Sequence, residues 1–500
     1  MKTIKLKSNA IYIFACIFYL FFIALYVSKI AKNNVNPYYA IIGMITLLLC
    51  AGFSFFLILF VNRNSYSLEK IWIFIALGFG IFRIFTITPL SPFDEIGHYE
   101  HAYRESNVLL FKFSDLNYMT KEHHDFSNFK EQNNVASAYD RWKDPFFIKS
   151  SGTSVNKREK QETFNPLQYL MQAFGISIAR ILHFNFMPLY FLGRLCNLLF
   201  YVFCLYMAIR IIPFGKLTMF VTGLLPLCLH LPSSFSNDGY IFAVAFLFFA
   251  LLVKSIFSQE KITLKEIILL AIFSSILAPS KLVYIPISCL CILIPSKRFS
   301  NLKQNISVKT LIIAAGIVSI LIFNGSRLFN LSGSEKLTYT GEPCYSLSDF
   351  LHNPLKFVLV YLNTLRYLWA DWISEAMGLV LMGVPTGIPV WLRFSFLMLL
   401  FITTFSSEQT FSGSQRIFSL ILLLGSILLV MTAELFIWTP KGASQIAGVQ
   451  GRYFLPYFPM FFFAIRNKVF ATTLPIEKYV CIIEIFMQFY IVFMTVNQTL

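Results

Sequence analysis

Apolar runs, each long enough to cross roughly 30 Å of hydrocarbon in about 20 helical residues, alternate with short polar stretches from Ala10 to Val496. The pattern predicts spans near residues 10–28, 40–61, 70–88, 188–212, 217–231, 239–257, 264–278, 282–295, 308–324, 389–405, 416–437, 453–466 and 477–496, about thirteen in all. No period-two alternation points to a membrane barrel. The expected fold is an all-α polytopic membrane protein with a large loop after the third span. The stretch 354–369 is apolar but carries Lys356, Asn363 and Arg366, which predicts an interfacial or re-entrant helix. Three regions follow: N-terminal spans over 1–88, a loop subdomain over 89–187, and a bundle over 188–500 with further loops near 324–388 and 438–453. Ala10 to Val27 follows Lys2, Lys5 and Lys7 as a signal sequence would, yet Val27-Ser28-Lys29 offers no small-residue cleavage site. This run is expected to stay as the first anchor.

Composition strengthens the membrane reading. Hydrophobic residues make up 57% of the chain and charged ones 13%, about half the usual soluble share, and the mean hydropathy is +0.66. The net charge of +16 would suggest nucleic acid in a soluble protein. Here the Lys and Arg sit mainly in short loops between spans, so the excess reads as topology plus affinity for anionic membrane lipids, with no nucleic-acid partner. Nine cysteines are scattered, without the spacing of a disulfide framework or zinc site.

Sidedness follows from those basic loops. With the N-terminus inside, Arg63, Arg210, Lys216, Lys261, Lys297, Arg298, Arg416 and Arg466 all fall in inner connections, as the positive-inside rule requires. The same assignment sends Asp94-Glu95, Asn237-Asp238, Ser280-Lys281, Arg327, Asp371 and Gln450-Gly451-Arg452-Tyr453 to the outer face. Polar groups from widely separated segments thereby converge on one surface, which argues for a site facing outward.

The loop over 88–188 holds five of the seven histidines. A helix after Pro92 would align Asp94, His98, His101 and Glu105 in one stripe. That stripe suits a general base set by its neighbours or, alternatively, a divalent metal ion; a solvated helix start with N-terminal carboxylates is the plainer reading. Lys281, Arg327 and Arg452 lie near outer span ends, where they could meet phosphate oxygens or simply snorkel to water. Arg452 stands out because two glycines and a proline bracket it in Gly448-Val449-Gln450-Gly451-Arg452-Tyr453-Phe454-Leu455-Pro456. Asn237 and Asp238 open a span and could equally serve as its cap.

Pro92-Phe93-Asp94-Glu95 with His98 and Ala102-Tyr103, then Asn165-Pro166-Leu167-Gln168-Tyr169-Leu170, Ser236-Asn237-Asp238, Ser280-Lys281 and the Gly448–Pro456 run occur in this order. Together they resemble a bacterial multi-pass membrane family catalogued as domain of unknown function twenty-one forty-two, from about Thr88 to the C-terminus. That family in turn is similar to the GT-C class of glycosyltransferases, which take sugars from polyprenyl-phosphate carriers. The resemblance implies a GT-C-like fold in the bacterial cytoplasmic membrane, with its active face outward. It implies a polyprenyl-phosphate-linked sugar donor and a cell-envelope glycan or lipid-linked acceptor. An acidic motif near the start of the first large outer loop is typical of GT-C enzymes, and Asp94-Glu95 occupies the matching place. The departure is that two spans, rather than one, precede the span leading into the loop.

On this reading Asp94 or Glu95 is the catalytic base. His98, His101, Asn237, Asp238, Lys281, Arg327, Asp371, Gln450, Arg452 and Tyr453 are the substrate-binding candidates, with Tyr453, Trp372 and Trp142 available to stack on sugars. The sequence names no definite cofactor, and a divalent metal ion fits the same chemistry. A polysaccharide polymerase or ligase, a lipid-linked sugar flippase, and a non-catalytic assembly scaffold are the alternatives. A flippase would need ionisable residues deep inside several spans and matched half-repeats.

Overall fold

The computed structural model describes residues 2–33, 35–63, 66–92, 94–127, 149–150, 152–156, 165–330, 337, 341–381, 387–405, 409–468 and 475–499. Among them, seven helices are long and apolar enough to cross a membrane: Asn9–Lys32, Pro37–Arg63, Phe186–Ile211, Asp238–Phe257, Leu302–Gly325, Gly413–Ile437 and Glu477–Gln498. The protein is a multi-pass membrane protein, and these helices fall on seven of the expected span positions.

The other six positions are helical but shorter, more charged or broken. Leu68–Thr86 carries Glu69, Lys70 and Arg83. Leu264–Leu277 and Val390–Thr404 have 14 and 15 residues, or about 21–23 Å of helix. The region 217–231 divides into Lys216–Gly223 and Pro226–His230. The region 282–295 divides into Leu282–Tyr284, Ile285–Cys289 and Leu290–Leu293. At 453–466 a 3-10 turn, Gly451–Tyr457, runs into Phe458–Ile465. Pro226, Pro286, Pro456 and Pro459 lie at these breaks, where a missing N–H and a ring clash stop a continuous helix. The 354–369 stretch lies within one helix, Pro354–Ala376. Phe357, Val360, Thr364 and Trp372 are buried on one side of it, and Lys356 and Arg366 are exposed.

Non-helical backbone at membrane depth must find partners inside the protein. Around 223–237 they come from side chains that hydropathy alone treats as anomalies. The Tyr201 hydroxyl donates to the Gly223 carbonyl at 2.8 Å, Gln488 Nε2 to Leu224 at 2.7 Å and Arg83 Nη1 to Pro226 at 2.7 Å. Asn197 Nδ2 donates to the carbonyls of Ser234 and Ser236. Arg83 Nη2 also donates to Gln488 Oε1 at 2.6 Å, so the third helix and the last one close on the same break. The final helix further receives the first through rings: Phe14, Phe18, Tyr19 and Phe22 meet Phe486, Phe489 and Phe493.

The Asp238–Phe257 helix has 20 residues, about 30 Å, which is the hydrocarbon thickness. At its Phe257 end, the loops expected inside gather. Phe214, Phe257, Phe411 and Phe463 pack together, Arg298 bonds the Ser255 carbonyl and pairs with Glu266, and Arg466 Nε donates to the Gln409 carbonyl. At its Asp238 end sit the polar motifs.

The 89–187 segment builds its own small core. Helix Glu95–Leu109 lies against Leu170–Ile181, and Tyr99, Tyr103, Met119, Phe126, Tyr169 and Ile176 are buried together with Tyr190 and Phe235. Strands Tyr118–Thr120 and Ser154–Asn156 pair antiparallel, Met119 opposite Val155. Trp142 and residues 151 and 157–160 lie outside the described residues.

Candidate functional site

Asp94 precedes the Glu95–Leu109 helix with φ 56 and ψ 16, in the left-handed region, and its side chain makes no capping bond. A non-glycine residue held there is strained. The carboxylate turns outward and reaches Arg452 Nη2 at 3.4 Å, with 76% of the side chain exposed. Arg452 is 6% exposed, and its Nη1 lies 3.3 Å from Asp238 Oδ2. The other oxygen of Asp238 takes Lys281 Nζ at 3.1 Å, and Lys281 sits 4.2 Å above the Tyr453 ring. Asp94, Arg452, Asp238 and Lys281 thus form one chain of alternating charge drawn from four distant segments.

The flanking motifs lock this chain in place. Asn237 donates to Gln168 Oε1, and Gln168 Nε2 donates to the Ser280 carbonyl at 3.2 Å. Asn237 therefore ties three motifs together and makes no side-chain cap. His98 Nδ1 shares a 2.9 Å bond with the Tyr169 hydroxyl, and His101 stacks on the same ring at 5.4 Å. Burial, opposed by Asp238 and aided by Arg452, pushes the His98 imidazole down to about 4. Burial likewise lowers Lys281, against the pull of Asp238. The Gln450 carbonyl accepts from Tyr453 N at 3.0 Å, closing the turn that carries Arg452.

Two carboxylates absent from the sequence-derived set support that turn. Glu375 Oε2 accepts the Gly451 N–H at 2.7 Å. Glu434 comes up against Gly448, whose φ is +83 and whose place no side chain could share. Asp371 is exposed one turn before Glu375, outside the charge chain. Arg327 lies in the Leu302–Asn330 helix, and its side chain is outside the described residues.

Glu95, one residue from Asp94, has a different environment. It is 1% exposed, and Arg194 clamps it through Nε and Nη2 at 2.8–3.1 Å. The N–H groups of Leu90 and Phe235 donate to it at 2.9 and 2.8 Å, and so does the Tyr190 hydroxyl. Every acceptor position is used, so this carboxylate fastens the loop to the bundle.

The stripe for which a divalent metal ion is the alternative reading does not assemble as a donor set. His98 and His101 turn to Tyr169, and the Arg452 guanidinium occupies the space between Asp94 and Asp238. Among the described residues no group of three or more His, Cys, Asp or Glu could hold a metal ion.

Beside the charge chain lies an apolar cavity of about 440 Å³, lined by Trp369, Trp372, Phe401, Phe454, Tyr457 and Phe461 among others. Trp372 and Phe454 pack at 5.3 Å, and Phe454 follows Tyr453 directly, so the Arg452 turn forms one wall of the cavity.

No curated protein and no solved structure is found to match the chain. A family model does match, over residues 77–461, and it covers Asp94, Asp238, Lys281 and Arg452. The chain belongs to that family, described as predicted membrane protein (DUF2142).

Proposed function

We propose that this protein is an integral-membrane glycosyltransferase of GT-C type, with about thirteen crossings counting the short and broken helices. It moves a sugar from a polyprenyl-phosphate donor to a cell-envelope glycan or lipid-linked acceptor at the outer face of the bacterial cytoplasmic membrane. The observation that carries the reading is a cation pair, Arg452 and Lys281, fixed by Asp238 beside an exposed carboxylate and an apolar cavity. A lipid phosphate asks for the same neighbours: cations for its head and an apolar wall for its tail.

Asp94 accepts the proton of the acceptor hydroxyl as that oxygen attacks the anomeric carbon. The bond from that carbon to the phosphate oxygen breaks, the phosphate keeps the electron pair, and Arg452 and Lys281 stabilise the charge it gains. Asp238, held between the two cations, keeps them spaced. Asp94 suits the base better than Glu95, whose lone pairs are all engaged.

The test is a purified-protein assay with a panel of polyprenyl-phosphate sugars, read by mass spectrometry of the acceptor. Asp94→Asn should abolish transfer at normal protein level, and Arg452→Lys should reduce it, because an ammonium cannot replace the forked guanidinium contact. Unchanged product with Asp94→Asn would eliminate catalysis at this site and leave a scaffold or flippase.

A further inference from the structure

Helix Leu170–Ile181 is inside-out for a helix in water. Its polar side chains turn into the protein: buried Gln172 donates to the Phe235 carbonyl, buried Ser177 bonds the Ala173 carbonyl, and Arg180 Nη1 donates to Ser106 and Asn107. Its large apolar side chains turn away. Phe174 is 55% and Ile181 64% exposed, and half-buried Met171 and Ile178 complete a row at i, i+3, i+7 and i+10, which is one face of a helix. A water-borne helix turns its polar stripe outward, whereas a helix bordering lipid keeps its polar groups towards the protein.

The neighbouring span shows what covers this face. Gly175 sits so close to the Leu192 carbonyl and the Gly193 amide that a Cβ would overlap both, which seats the helix on Phe186–Ile211, one of the membrane-crossing helices. Phe203, Leu199, Leu195 and Leu192 form an exposed or half-buried apolar row on that span. The row leads up to the contact, and the Phe174 row carries it on.

Depth agrees. Helices Pro37–Arg63 and Leu68–Thr86 run antiparallel, with Phe53 on Phe79 and Phe82, and Phe60 on Phe74. Beyond Phe53 the first continues sixteen residues to Pro37, about 24 Å, whereas beyond Phe79 the second has seven left, about 10 Å. The first carries exposed Ile45, Ile42, Ile41 and Tyr38 along that extension, so its lipid-facing surface reaches about 14 Å past Thr86. Helix Glu477–Thr499 gives a similar figure: Gln488 meets Arg83, with eleven residues, about 16 Å, still to come, against three, about 5 Å, after Arg83. Arg194 bonds the Ile84 and Ile87 carbonyls at the lower level. The eight residues from Arg194 back to Phe186, about 12 Å, rise through the same layer, and helix Leu170–Ile181 lies along them.

We propose that the Met171, Phe174, Ile178 and Ile181 face docks into the acyl chains of the bilayer leaflet on the Asp238 side, so that the 89–187 segment is rooted in lipid beside the charged site. Acyl chain is the occupant because the face offers no charge or hydrogen-bonding group to a headgroup or a protein, and because it extends a surface that a span already gives to lipid. The proposal uses neither Asp94 nor any reaction, so it stands or falls separately from the transferase reading.

The experiment places the photo-cross-linker p-benzoylphenylalanine singly at Phe174, Ile181, Leu199 and Glu260 of the full chain in phospholipid nanodiscs, with adducts read by intact-protein mass spectrometry. Leu199, exposed on a span, is the lipid reference, and Glu260, exposed in a loop beyond Phe257, is the aqueous one. All four side chains are on the surface, so the probe displaces no core residue. Phe174 and Ile181 should gain the mass of one phospholipid at a yield comparable with Leu199 and about tenfold or more above Glu260, because acyl chains end at the edge of the hydrocarbon. A yield as low as at Glu260 at either position overturns the proposal by placing the face in water. Adducts to a second copy of the chain in place of lipid overturn it as well.

Discussion

Two neighbouring carboxylates should fail in opposite ways when removed. Replacing Glu95 by Ala strips the buried Arg194 of its counter-charge. The Arg194–Glu95 side chains are both 0% exposed, and the lost carboxylate also accepts from Leu90 N, Phe235 N and Tyr190. Removing one partner of a buried pair costs about 3–5 kcal/mol, or roughly two to four powers of ten in the folding equilibrium. Asp94, by contrast, is 76% exposed with a single 3.4 Å contact, worth about 0–1 kcal/mol. Fluorescence-detected size-exclusion chromatography of detergent extracts over a temperature ramp measures both. Glu95→Ala should lose its monodisperse peak at a clearly lower temperature, whereas Asp94→Asn should keep the wild-type profile and lose transfer. A Glu95→Ala protein as heat-resistant as wild type would refute the reading of Glu95 as a fastener. The double change Glu95→Leu with Arg194→Leu should recover much of the loss, since apolar replacement of a whole buried pair is often neutral.

Other consequences concern pH, backbone and tail. Unfolded His98 and His123 take protons near 6.5, but folded they do so only near 4 and 3, chiefly because of burial. The unfolded chain therefore binds more protons between those values: stability is full above 6.5 and falls as pH drops from there towards 4 and 3. Denaturant midpoints from pH 7.5 to 4.5 should show that slope, and His123→Gln should flatten it; an identical slope in the variant would contradict the assignment. A Cβ at Gly451 would land on the Trp372 carbonyl and the Ala376 amide, so Gly451→Ala should destabilise by about 1–3 kcal/mol and displace Arg452. Gly425→Ala, with open space around it, should be harmless in the same melt. Leu423→Trp, projecting into the 440 Å³ cavity, should raise KM severalfold for long-chain donors and leave short-chain donors alone. The effect stays modest because the displaced tail still has bilayer to enter; equal KM changes for both donors would argue against a tail site.

Much of the site was readable from residue order alone. Asp94, Asp238, Lys281 and Arg452 were singled out by sitting at the ends of apolar runs, and they meet. The breaks at 223–226, 284–286 and 456–459 were less legible. Hydropathy averages over a window and does not feel one missing N–H, so Pro226, Pro286 and Pro456 vanish into runs that look continuous. The partners of those breaks were hidden for a related reason: Arg83, Arg194 and Gln488 are diluted by apolar neighbours. Yet a charge inside a span is itself a signal, and Arg194 could have been flagged by it. No sequence rule separates Asp94 from Glu95, because the left-handed turn at Asp94 sends adjacent side chains to different environments. Glu375 and Glu434 lie on helices that approach the Arg452 turn only in three dimensions.

The bond between Arg83 and Gln488 spans 405 residues, and ribosomes deliver chain from the N-terminal side at about 5–20 residues per second. For roughly 20–80 s the third helix must wait in the bilayer for Gln488, and until the Pro226 carbonyl it also bonds has been made, its guanidinium is unpaired there, a state costing about 2.5–3.5 kcal/mol on insertion scales. The Glu477–Gln498 helix is thus a latch thrown long after the helix it secures, and a nascent protein cut short before it would be left with its Arg83 helix ill-suited to lipid, open to the quality-control proteases that patrol the membrane.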